Sequence, residues 1–356
     1  MNDYKFLKMV FIMKHKYFLF YALMAGLASC QCGGKMEPAQ YRNPVIREAA
    51  MPDPTVIKAD DGYFYVYASE DVRGMVNQRN VPIYRSVDMV NWTFVGTAFT
   101  DSTRPTFEPR GGIWAPDINY INGQYVLYYA VSEWGGEQTC GIGTAVADAP
   151  QGPFREAKML FRSNAIGVQN SIDPNYFEDA DGTKYLFWGS WHGIWGIELT
   201  DDGLAIKPDA VKRQIAGTDY EAAYLHKRGD YYYLFASIGR CCEGLASTYT
   251  AVVGRSKDLW GPYLSRQGER MLDNRHDIAL IANYSFVGPG HNSEIIPDED
   301  GNDWVFYHAY DRIASYNLAK PVRYLLLDEV VWTDGWPLFN DGSPSKESVV
   351  PSSAGR

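Results

Sequence analysis

The chain lacks an excess of positive charge. Its 33 Lys and Arg stand against 43 Asp and Glu, for a net charge of −10. With no basic stripe to release counterions from phosphate, a nucleic-acid partner is disfavoured and a neutral substrate fits better. Cysteine is scarce, with five in 356 residues. No Cys/His spacing reads as a zinc site. Cys140, Cys241 and Cys242 lie inside the expected folded part, and three thiols cannot all pair among themselves. Buried or partly buried thiols are the expected state, with a vicinal Cys241–Cys242 bridge left open. No convincing long amphipathic helix appears anywhere, which turns attention to strands.

A long apolar run is also missing, and the one short run has a specific context. Lys5, Lys8, Lys14 and Lys16 precede the apolar stretch Tyr17 to Leu27, and Ala28-Ser29 leads to Cys30. A charged start, an apolar stretch too short to span comfortably and a small-residue processing site make a targeting segment. Leu27-Ala28-Ser29-Cys30 resembles the bacterial lipobox, whose cysteine becomes the lipidated first residue of the mature protein. That resemblance implies a signal peptide over 1–30 and a lipid on Cys30 that anchors the protein in a bacterial cell envelope, at the outer membrane or cell surface. Met13 as the start would give a more ordinary signal length. Residues 31–43, with Gly33, Gly34 and Pro38, read as a tether, and 346–356 as a polar tail.

What the chain has in abundance is aromatic residues, 15% of the total with 26 Tyr and 10 Trp. They fall into a pattern. Five times a Gly/Asp/Asn turn (Asp61-Gly62, Asn122-Gly123, Asp181-Gly182, Gly229-Asp230, Asp300-Gly301) is followed at once by an aromatic run. The strand–turn–strand sequel, with Asn-Gly as a hairpin signal, repeats through the chain. Four short antiparallel strands per repeat is the blade of a β-propeller. The predicted fold is all-β, one five-bladed propeller of four-stranded antiparallel blades over residues 44–345. Inserts at about 71–80, 100–112, 133–139, 162–171 and 265–290 are expected to build the rim of one face.

Upstream of each turn lies Asp53, Asp117, Asp173, Glu221 or His291. Innermost strands of a propeller run along one axis, so side chains at their starts converge on a single mouth. Clustered carboxylates raise one another's pKa and offer one group as base and another as acid. An Asp before Pro also simply opens a strand. Recurrence at one repeat position favours chemistry for Asp53, Asp173 and Glu221. Asp117 sits in a different register, which suggests a structural or substrate-orienting role.

The segments Asp53-Pro54, Trp114-Ala115-Pro116-Asp117, Ser171-Ile172-Asp173-Pro174-Asn175 and Gly288-Pro289-Gly290-His291 resemble the glycoside hydrolase family 43 propellers. That family contains arabinanases, β-xylosidases and α-L-arabinofuranosidases. Cys241-Cys242-Glu243-Gly244 with Ser247-Thr248-Tyr249, Val253-Gly254-Arg255-Ser256-Lys257 and Asp334-Gly335-Trp336-Pro337 resemble the endo-acting α-1,5-L-arabinanases in particular. The resemblance implies hydrolysis of internal α-1,5 linkages in plant cell-wall arabinan or arabino-oligosaccharides by an anchored monomer. Inversion follows from the same likeness. Asp53 would be the general base, Glu221 the general acid and Asp173 the group that holds Glu221 protonated. His291 matches a histidine that helps hold a metal, commonly Ca2+, with water completing the shell. Trp114, Asp117, Asn170 and Trp191 are the candidates for substrate contact. Two departures stand out: Glu221-Ala222-Ala223 where relatives often have Glu-Ala-Pro, and Pro52 where many have His. An exo-acting enzyme on the same scaffold, or a glycan-binding lipoprotein, would share most of these features.

Overall fold

The computed structural model describes residues 39–70, 80–108, 110–316, 318 and 320–353. The signal peptide, Cys30 and Cys32 lie outside the described residues. A short strand β1 (Gln40–Arg42) comes first. Blade one is β2 (Thr55–Lys58), β3 (Phe64–Tyr67), β4 (Pro82–Ser86) and β5 (Thr93–Thr97). Blade two is β6 (Gly112–Ile121), β7 (Gln124–Ser132), β8 (Gly141–Ala147) and β9 (Arg155–Arg162). Blade three is β10 (Asn175–Glu178), β11 (Lys184–Trp188), β12 (Ile194–Glu198) and β13 (Arg213–Ala216). Blade four is β14 (Glu221–Arg228), β15 (Tyr231–Ile238), β16 (Thr250–Ser256) and β17 (Asp277–Leu280). Blade five has a first strand split into β18 (Phe286–Gly290) and β19 (Ile295–Pro297). Both halves pair with β20 (Asp303–Asp311), which is followed by β21 (Tyr324–Thr333) and β22 (Trp336–Phe339). All pairings within the blades are antiparallel.

The aromatic runs read from the sequence are the second strands, β3, β7, β11, β15 and β20. They are buried on both faces because neighbouring blades cover both sides of each sheet. Asn122 and Gly123 take φ 48° and 86°, the left-handed pair that a two-residue hairpin turn requires. Five apolar clusters fill the five blade junctions. One holds Tyr65 and Leu127 between blades one and two, and another Val126 and Leu186 between two and three. Phe187 and Leu234 belong to the third junction, and Phe235 and Leu326 to the fourth. Val56 and Phe306 share the cluster where blade five closes on blade one.

Closure corrects the expected boundaries. The residues assigned to a tether and a tail meet as β1 and β23 (Glu347–Val349). Asn43 Nδ2 donates to Leu327 O at 2.8 Å, and Tyr41 Oη to the same oxygen at 2.6 Å. Residues 40–43 and 347–349 therefore belong to the propeller. A three-residue strand such as Glu-Ser-Val carries no readable periodicity, so the local sequence did not announce it. The 265–290 stretch is likewise corrected, since it contains β17, the outer strand of blade four. Helix is limited, among the described residues, to α1 (Ser163–Ile166), α2 (Arg312–Ser315) and two single turns of 3₁₀ helix.

Candidate active site

The repeat places one residue per blade in the left-handed region just where the inner strand begins. These are Asp53 (φ 54°), Ala115 (φ 43°), Asp173 (φ 57°), Ala222 (φ 57°) and His291 (φ 49°). Such a conformation is uncommon for non-glycine residues and concentrates at functional sites. Asp53, Asp173 and His291 occupy equivalent points, and Glu221 stands one residue earlier. All four line one open cavity of about 640 Å³ at the propeller axis, together with Trp114, Asn170 and Trp191.

Asp117 is the exception and is corrected. It falls two residues beyond the shared point, in register with Thr55, Asn175 and Tyr224, and does not line the cavity. Those positions, with Glu294, form a deeper ring of staples between blades. Ile118 N donates to Thr55 Oγ1 (3.1 Å) and Tyr176 N to Asp117 Oδ2 (2.7 Å). Leu225 N donates to Asn175 Oδ1 (2.9 Å), Ile295 N to Tyr224 Oη (3.0 Å) and Val56 N to Glu294 Oε2 (2.7 Å). Burial raises the pKa of both Asp117 and Glu294; the Glu294 charge adds to the rise at Asp117, while hydrogen bonds from Val56 N–H and with Asp117 partly offset it at Glu294. Asp117 thus holds the blades together rather than touching substrate.

Asp53 is surrounded by donors. Arg323 Nη1 reaches its Oδ1 at 3.0 Å, Ser69 Oγ donates to its Oδ2 at 2.5 Å, and His291 Nδ1 is 3.2 Å from Oδ1. Burial alone would raise its pKa, but Arg323 and His291 outweigh that and hold the carboxyl well below the usual range. His308 lies beneath, fully buried, with Nδ1 accepting from the Asp53 N–H at 3.0 Å. Burial and the nearby Arg323 charge push His308 down to about 4, so it is neutral. The tautomer follows: Nδ1 accepts, so Nε2 carries the hydrogen.

Glu221 and Asp173 are opposite in character. Burial raises the pKa of Glu221, only partly offset by the nearby Tyr249 hydroxyl and by a hydrogen bond from Ser190, whose Oγ is 2.8 Å from Oε2. Asp173 Oδ2 accepts the Ala222 N–H at 3.0 Å. Burial lifts Asp173 to about 7; His291 opposes the rise, while the Glu221 and Asp53 charges add to it. One cavity therefore holds an ionised carboxylate and a proton-bearing carboxyl pair.

His291 sits over Asp53 with Nδ1 engaged, which leaves Nε2 as its one nitrogen able to meet a cation. Burial would lower its pKa, yet Asp53, then Asp173 and Glu221, raise it. The three carboxylates favour positive charge at this point, whether a proton or a metal ion supplies it. Among the described residues no three His, Cys, Asp or Glu side chains are disposed to hold a metal. The donor set fits only an ion whose shell is mostly water.

Trp114 packs at 5.8 Å against Trp134, which is 80% exposed. Trp191 (φ 60°) is more than one-third exposed at the cavity wall rather than packed between blades. Asn170 Nδ2 donates to Ser190 O at 3.3 Å, tying the wall to the residue that bonds Glu221. Tyr128, Tyr232 and Tyr233 are buried sheet residues. The sequence pattern did not reveal Arg323, His308, Ser69 or Ser190, which lie outside the repeated register. Tyr249 stood in a quoted motif and was readable as a candidate.

Residues 41–337 match the family model for glycosyl hydrolases family 43. The chain belongs to this family. It is 35% identical over 298 residues to the extracellular endo-α-(1→5)-L-arabinanase 1 of Bacillus subtilis, covering 81% of this chain and 87% of that one. Identity is 34% over 289 residues to the extracellular exo-α-(1→5)-L-arabinofuranosidase ArbA of Cellvibrio japonicus, covering 73% and 80%. Among solved family structures, the Cellvibrio cellulosa α-L-arabinanase complexed with arabinohexaose superposes with a TM-score of 0.72 at 30% identity, covering 83% of this chain and 96% of that one.

Proposed function

We infer that the protein is an endo-α-1,5-L-arabinanase that hydrolyses internal linkages of arabinan with inversion at the anomeric carbon. The observation that carries it is the contrast within one cavity between Asp53, whose carboxyl Arg323 at 3.0 Å holds well below the usual range, and Glu221, whose pKa burial raises. Asp53 draws a proton from the attacking water. Glu221 gives its proton to the departing glycosidic oxygen as that bond breaks. Asp173 positions Glu221 through the Ala222 backbone, and because a charge on either of the two disfavours a charge on the other, its presence favours the protonated acid. The Trp114 and Trp191 rings offer flat apolar faces to the C–H sides of neutral sugar rings. Linear arabinan incubated with the purified protein should yield a ladder of oligosaccharides early in the reaction. Arabinose as the sole early product would overturn endo action.

Two further features belong to the same proposal. A calcium ion held by His291 Nε2 and water would add positive charge near the catalytic carboxylates. A chelator should then lower both melting temperature and activity, with calcium restoring them, and His291→Ala should remove the melting-temperature response. Chelator-insensitive melting of the unaltered protein counts against the ion. The second feature is a lipid on Cys30 that keeps the enzyme in the envelope. Cys30→Ser should move it from the membrane to the soluble fraction, and continued membrane association would exclude that anchor.

A further inference from the structure

Cys241 and Cys242 are joined by a disulfide, and both residues line the catalytic cavity. Thiols were the expected state here. The bridge sits on the β15–β16 connection of blade four, the blade that supplies Glu221. Glu221 pairs with Ser237 in the ladder, so the chain climbs four residues from the level of the acid to reach Cys241. The loop is held by its own hydrogen bonds: Ser247 Oγ to Arg240 O at 2.7 Å and Arg240 N to Thr248 Oγ1 at 3.0 Å. Gly239 (φ +84°) permits the close return, since a Cβ there would lie 2.3 Å from Thr248 O. Gly244 rests against Pro321. Tyr249, at the end of the loop, is buried against Glu221.

A bond between adjacent cysteines closes a small ring that removes the thiol hydrogens and fixes two polarisable sulfurs side by side. In a cavity wall half covered by polar groups, that ring is an apolar surface facing the same space as Trp114 and Trp191. We propose that the Cys241–Cys242 disulfide is a sugar-binding platform, packing against the C–H face of an arabinosyl unit bound in the cavity above Glu221. Being one rigid ring, it orders little on binding, unlike two free cysteine side chains with rotamer freedom to lose. Export keeps it oxidised. The platform rests on the functional reading above and deepens it.

The test compares the oxidised protein with protein reduced by a water-soluble phosphine. The phosphine takes an oxygen from water and passes two electrons to the sulfurs, giving two thiols that a colorimetric reagent counts. Reduction should raise KM for arabinohexaose about fourfold, the factor expected for losing one methylene-sized buried contact. The kcat should stay within about twofold, because the acid and base are untouched. A Cys241→Ala/Cys242→Ala variant should show the same KM and no response to phosphine. In the turnover-deficient Glu221→Gln protein, saturating arabinohexaose should slow reduction of the bridge, a protection that a merely structural disulfide would not show. An unchanged KM with two new thiols counted, or absence of protection, overturns the platform alone. Failure of the oxidised protein to cleave arabinohexaose overturns the arabinanase reading and the platform with it.

Discussion

Glu221→Gln should lower kcat on linear arabinan by about 10²- to 10⁴-fold, the range that a positioned general acid supplies. The amide keeps the shape and can still accept from Ser190 Oγ, so the fold should persist. Loss of the acid matters most when the departing oxygen is a poor leaving group. An aryl arabinofuranoside with an acidic phenol leaves without protonation, so any turnover of it should fall far less. Equal losses on both substrates would remove Glu221 from the role of acid. The pH profile carries the same information. Burial raises the Glu221 pKa, so wild-type activity on arabinan should decline as pH rises and the proton is lost. Asp173→Asn removes an acid whose ionisation disfavours that of Glu221, which should lower the acid's pKa and move that decline to lower pH.

Asp53→Asn should cost a comparable factor, about 10²- to 10⁴-fold, but on arabinan and aryl substrate alike. Both reactions need the attacking water deprotonated, whatever the leaving group. The same substitution should destabilise the protein. Arg323 is 7% exposed and donates to Asp53 at 3.0 Å, and the whole ring of donors is built around a negative charge. Removing one partner of a buried pair costs about 3–5 kcal/mol, and the Asn oxygen keeps part of the hydrogen bonding. Thermal melts should therefore show a clear decrease for Asp53→Asn and a much smaller one for Glu221→Gln. An Asp53→Asn protein that melts and turns over like wild type would show that another group is the base.

Much of this was legible because the fold repeats. The turn-and-aromatic period gave the second strands directly, and the residues upstream of it came out on the axis. Asp117 shows how finely the register matters. Two residues of displacement carry it from the cavity layer into the ring of blade staples, where it accepts Tyr176 N–H and burial with the Glu294 charge raises its pKa. Aligning Asp117 with Thr55 and Asn175, rather than counting from its turn, would have shown this. β1 and β23 were not legible, because a three-residue pairing between distant chain segments has no local periodicity. The Cys241–Cys242 bridge was equally indeterminate, since adjacency permits the bond without requiring it.

The sequence by itself determined the number of blades, the strand order and which three carboxylates and histidine share the axis. A period is a local property, and a closed ring of equal units converts it into convergence. Tertiary structure alone decided which carboxylate is charged. Arg323 reaches Asp53 from 270 residues away and His308 from 255, while the pKa of Glu221 rises because the surrounding blades bury it. Burial and opposing charge set a pKa, and both come from neighbours that only the closed propeller brings together.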